Sequence, residues 1–114
     1  MPPKRNPLNL NPLQLKTLTL LQELARTAGK PAPEGDAGGV AITELPNAHG
    51  DHFHLGDAVV SGRDASGLYN EVVWNALTRK GVARAEYPHQ ITLTATGVTY
   101  DTGLADEILH RTDH

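Results

Sequence analysis

Leucines stand at positions 13, 15, 18, 20, 21 and 24, interleaved with Gln14, Lys16, Thr17, Thr19, Gln22 and Glu23. The spacing is helical, and the leucines spread wider than the one apolar stripe of a surface helix. It predicts a leucine-rich first helix buried on two sides, by its own domain and by a second copy. Both ends are marked: Asn11 can cap the first amides, Pro12 suits the first turn, and Gly29 suits a left-handed residue just past the end. "KPAPEGDAGG", residues 30–39, has the Pro and Gly density of a flexible linker or loop. "VAITELP" alternates Val40 and Ile42 against Ala41 and Thr43 and predicts a short strand ended by Pro46. "HLGDAVV", residues 54–60, is a short apolar run that fits a helix or a strand equally.

Further along, Tyr69, Val72, Val73, Ala76 and Leu77 fall on one helical face, with Trp74 off it. Asp64 or Ser66 can cap that helix and Gly81 can close it, with Val82 placed for the contact that accompanies such endings. Trp74 either packs against the first helix or the C-terminal segment, or serves as a partner-binding anchor. Ile91 and Leu93 then share one face of a strand. Residues 1–10, rich in proline, read as an extended arm. Residues 11–100 read as a single domain, and 101–114 as an acidic tail or short helix.

Composition narrows the classes. The chain has 114 residues, enough for one core, with 39% hydrophobic residues and few aromatics, so Leu, Val, Ile and Ala must build that core. A net charge of −3 argues against attraction to nucleic acid or anionic membrane by field alone. No run approaches the roughly 20 apolar residues of a membrane span. The start lacks an apolar export region, so a cytoplasmic protein is expected. With no cysteine, disulfides, thiolate metal sites and cysteine nucleophiles are excluded together.

The order of a leucine-rich helix, a short strand, a short apolar segment and a capped helix ending "NALTRKGVAR", followed by "ITLTATG", resembles a winged helix-turn-helix domain of the MarR-like superfamily. It is also similar to small bacterial proteins of this pattern. The phrases that carry the resemblance are Leu77, Arg79, Lys80, Gly81, Val82 and then Leu93, Thr94, Gly97. The resemblance implies an α+β fold, winged helix-turn-helix-like, with a capped recognition-type helix and a small antiparallel sheet. It makes residues 54–60 the second helix and 66–80 the recognition helix. Ser66, Tyr69 and Asn70 would face the major groove of double-stranded DNA, with Arg63 and Arg84 meeting phosphates. Two features depart from it: "RAEYPHQ" is a short wing without a basic cluster, and residues 61–100 carry four basic side chains against three acidic ones. Affinity from phosphate contacts falls steeply with salt, so basic residues must be concentrated, and a homodimer, helped by Lys4 and Arg5, is the form in which DNA binding is expected. A strand at 54–60 pairing with "VAITELP" would instead put a hairpin in the second helix's place.

The densest chemistry is "AHGDHFHLGD", with His49, His52 and His54 beside Asp51 and Asp57. Imidazole suits zinc, nickel and copper, and a closed zinc site takes four ligands. In an extended segment His52 and His54 share one face, a two-ligand pair. The alternative is a polar loop in which Asp51 caps the next element and the histidines form hydrogen bonds. No nucleophile elbow or phosphate-binding glycine loop is present, so a non-enzymatic protein is expected. Three roles follow: a DNA-binding regulatory module, a metal- or pH-sensing protein built on the three histidines, and a protein-protein adaptor without DNA affinity.

Overall fold

The computed structural model describes residues 6–31, 38–47 and 50–111. It is an α+β fold of four helices and two antiparallel sheets. Helix α1, Pro12–Ala28, starts as its sequence predicts. The Asn11 side chain accepts from the Gln14 amide at 2.8 Å, and the Gln14 side chain accepts from the Asn11 amide at 3.0 Å. This reciprocal box satisfies two amides that would otherwise lack partners. The other end departs from expectation. Gly29 is extended, with φ −75°, because the chain turns directly into a strand and not through a left-handed residue. Glycine is required there by space: a Cβ would stand 2.3 Å from Val40 Cγ1 and 2.5 Å from the Ala25 carbonyl oxygen.

The first two residues of the expected linker are strand β1, Lys30–Pro31, which pairs with β2, Val40–Ile42. Residues 32–37 lie outside the described residues. Residues 54–60, which fit a helix or a strand and which the resemblance makes the second helix, belong to a hairpin. Strand β3, His52–Leu55, pairs with β4, Ala58–Ser61, in the register His54↔Val59 and Leu55↔Ala58. The two residues between them are Gly56 and Asp57, with Gly56 at φ +63°. A glycine with positive φ leading a two-residue loop gives the twist that antiparallel strands need, and that decides strand over helix here. The hairpin pairs internally and not with "VAITELP", whose strand β2 is taken by β1 and by β6, Gln90–Leu93. Strand β5, Ala83–Glu86, completes the first sheet in the order β1-β2-β6-β5.

Helix α2 is Glu71–Arg79, shorter than residues 66–80, and Asn70 caps it in place of Asp64 or Ser66. Residues 62–69 instead run in successive turns, with the Ala65 amide bonded to Ser61, Leu68 to Ala65 and Asn70 to Gly67. Those bonds use the backbone groups that an earlier helix start would have needed. The end of α2 matches expectation: Gly81 is left-handed at φ +80°, its amide bonds Thr78, and the Val82 amide bonds Leu77 at 3.2 Å. This double bond pattern closes the helix and drives Val82 into the core, where it is fully buried. The buried face of α2 is Val73, Trp74, Ala76 and Leu77, so Trp74 is core, while Tyr69 and Val72 are exposed.

Helix α1 packs against strands of both sheets and against α2, α3 (Ala95–Thr99) and α4 (Ala105–Ile108). Its leucine spread is thereby explained within one chain. Leu18, Leu20, Leu21 and Leu24 are buried, and Leu13 and Leu15 pack against the same core. At the end of α4, Ile108 and the following Leu109 are buried, and strand β7, His110–Arg111, pairs with β4 to give the second sheet the order β3-β4-β7. Of the two forms expected for residues 101–114, a short helix is present at Ala105–Ile108, and β7 follows it; residues 112–114 lie outside the described residues. Among the described residues no helix is long and apolar enough to cross a membrane.

Candidate metal centre

Strand β3 alternates its side chains, as any strand must. Leu55 is buried and Phe53 packs against the core, so His52 and His54 project from the opposite face of the sheet. There the two imidazoles converge: Nε2 of His52 lies 3.2 Å from Nε2 of His54, with the rings edge to face at 78° and their centroids 4.9 Å apart. Asp51 Oδ1 stands 3.5 Å from the other ring nitrogen of His52, Nδ1.

The spacing of the two Nε2 atoms has a direct chemical meaning. A Zn–N bond is about 2.0–2.1 Å, so two nitrogens on one tetrahedral ion sit about 3.3 Å apart, and two at a right angle about 2.9 Å. The observed 3.2 Å is that of a hydrogen bond between the two rings, and it also falls in the span that two nitrogens on one ion occupy. Asp51 lies on the side of the outer nitrogen of His52, but it is fully exposed and 3.5 Å away, the outer limit of a hydrogen bond. Among the described residues, no third His, Cys, Asp or Glu joins this pair in one cluster. His49, the third histidine of the motif, lies outside the described residues.

The residues that the helix-turn-helix pattern assigns to DNA are distributed differently. Arg63 and Ser66 lie in the turns before α2, Tyr69 and Asn70 at its entrance, and Arg84 on β5. Asn70 Oδ1 accepts the Val72 amide at 3.0 Å, so that side chain caps the helix. The Tyr69 hydroxyl donates to the Pro46 carbonyl at 2.7 Å, and its own carbonyl accepts from the Tyr87 hydroxyl at 2.8 Å. Loss of solvent, then the neighbouring Tyr87, raise the Tyr69 phenol above the usual tyrosine value, keeping it a donor. Two of the five residues thus use polar atoms to build the chain's own turns.

One further imidazole escapes sequence reasoning. The pairing of β4 with β7 sets His110 opposite Val59, which lies opposite His54. Paired residues on neighbouring strands point to the same side, so His54, Val59 and His110 form a row across the outer face of the sheet. Only the β4–β7 pairing could reveal this, because nothing local in "EILHR" marks a strand. No protein-family model, no curated protein and no solved structure matches the chain.

Proposed function

We propose that the protein is a non-enzymatic metal-binding module whose primary ligands are His52 and His54, taking zinc or nickel on the outer face of the β3–β4 hairpin. The 3.2 Å approach of the two Nε2 atoms supports this most strongly. Neutral imidazole is a preferred ligand for these ions, and a two-residue strand repeat on a tight hairpin holds the pair before the ion arrives. Isothermal titration with zinc and nickel tests it. The wild-type chain is expected to take up metal saturably, with a Kd on the order of tens of micromolar or tighter. The His52→Ala/His54→Ala variant should lose that uptake. Equal binding by both proteins, or none by either, would end the proposal.

A DNA-binding regulatory role is a second reading, supported by one feature: α2 is followed at once by the β5–β6 hairpin, the order of a recognition helix and wing. An electrophoretic shift with duplex DNA at moderate salt, with and without Arg63→Gln, tests it. Retardation weakened by the variant supports the reading, and no retardation at micromolar protein removes it.

A further inference from the structure

We infer that His110 is a third protein ligand of the ion at His52 and His54, so that the metal ties the last strand of the fold to the β3–β4 hairpin; this rests on the histidine pair being a metal site at all. A zinc ion takes four ligands, and the pair supplies two. A histidine from another strand reaches the same ion only from the same face of the sheet. The register of the three strands meets that condition. Val59 pairs with His54 on one side and with His110 on the other. Directly paired residues point to one face, so His110 stands on the side from which His52 and His54 project. Its neighbour Leu109 is buried while His110 is exposed, as the alternation of a strand requires.

The distance suits one ion. Neighbouring strands lie about 4.8 Å apart, so two steps separate the His54 and His110 backbones by about 10 Å. An ion above the intervening β4 lies about 5 Å to the side of each, and a histidine side chain lengthened by a metal–nitrogen bond of about 2.0–2.1 Å spans that offset. The β4 residues on that face, Val59 and Ser61, are half-buried and carry no charge that would repel a cation. Pairing with Val59 fixes the backbone of His110, whereas its ring is exposed and, among the described residues, no hydrogen bond or ion pair holds it. The ring does not join the pair in one cluster among the described residues, so binding requires it to turn about its own side-chain torsions while the strand stays in place. Strand β7 is only two residues long, and a bond from the ion to His110 adds an anchor where the ladder is short.

Two measurements on the full chain test the bridge. Isothermal titration with zinc compares the wild type with His110→Ala and His49→Ala. His110→Ala is expected to weaken zinc binding by at least the roughly 10–100-fold that loss of an outer-sphere partner costs. Its urea midpoint without zinc should match that of the wild type, because the side chain it removes is exposed. Hydrogen exchange of the wild type needs no variant: saturating zinc should slow exchange across β7 by about tenfold or more. That slowing should vanish in His52→Ala/His54→Ala, where His110 stands without the pair. Wild-type affinity in His110→Ala overturns the third ligand and leaves the pair standing, and a loss in His49→Ala at the same time gives its position to His49. Unchanged exchange across β7 at saturating zinc likewise overturns the bridge. Absence of saturable uptake by the wild type overturns both the bridge and the pair.

Discussion

Replacing Trp74 with alanine is expected to remove about 3–5 kcal/mol of folding stability, a large part of the roughly 5–15 kcal/mol of an ordinary domain. Trp74 is the largest fully buried side chain, and three separate interactions depend on it. Its indole fills the space between α2 and the rest of the core. Its ring meets Tyr87 edge to face, with centroids 4.8 Å apart. Its Nε1 donates to the Leu68 carbonyl at 2.9 Å, which anchors the turns before α2. Truncation leaves a cavity and removes the donor from that carbonyl together, and a buried polar group without a partner costs about 1–3 kcal/mol by itself. Trp74→Phe keeps most of the volume and loses the donor, so a smaller loss is expected. Urea unfolding followed by circular dichroism separates the cases. A loss below about 1 kcal/mol for Trp74→Ala would show that the indole is not the keystone of the core.

Gly97→Ala is expected to destabilise the fold although the residue lies in a helix. By intrinsic propensity alone, alanine in place of glycine adds about 1 kcal/mol. The surroundings reverse the sign. A Cβ at Gly97 would stand 2.0 Å from the Val82 carbonyl oxygen and 2.9 Å from its carbon. These are backbone atoms and cannot swing aside. The same carbonyl accepts the Thr94 amide at 3.1 Å, and Thr94 Oγ1 in turn caps α3 through the Gly97 amide. Forcing α3 away therefore strains that attachment, and overpacking of this kind costs about 1–3 kcal/mol or more. A lowered thermal midpoint is the expected outcome; a raised one would mean that α3 does not sit against Val82 as described.

The contrast between these elements shows what could be read from the chain. Helix α1 was legible because its signals are local and agree: Asn11, Pro12 and the leucine spacing all point to one helix. The end of α2 was legible for the same reason, through Gly81 and Val82. Its start was not, because Asp64, Ser66 and Asn70 are all competent caps and only packing of the preceding turns selects Asn70. Residues 54–60 were ambiguous because seven residues give too few periods to separate helix from strand. Their fate also depends on β7, which arrives from the far end of the chain. Val72 shows the limit of periodicity: it repeats with the buried positions, yet it is 73% exposed because the face of α2 that meets the core is centred on Trp74 and Leu77.

The candidate site follows the same rule. The pairing of His52 with His54 was visible once the segment was taken as a strand, since residues two apart share a face. The closeness of their Nε2 atoms and the addition of His110 to that face came from tertiary pairing alone. The five residues expected to contact DNA were drawn from a pattern that needs a helix at 54–60, and the Gly56–Asp57 turn forms a hairpin there instead.

Whether His52 and His54 hold one ion through their Nε2 atoms is read atom by atom in nitrogen-15 imidazole spectra recorded before and after zinc. The Nε2 signals of His52 and His54 are expected to move together to metal-bound positions, with the ring protons carried on Nδ1 in the zinc-bound form. Zinc that shifts only one of the two, or that binds through Nδ1 of either ring, would contradict it.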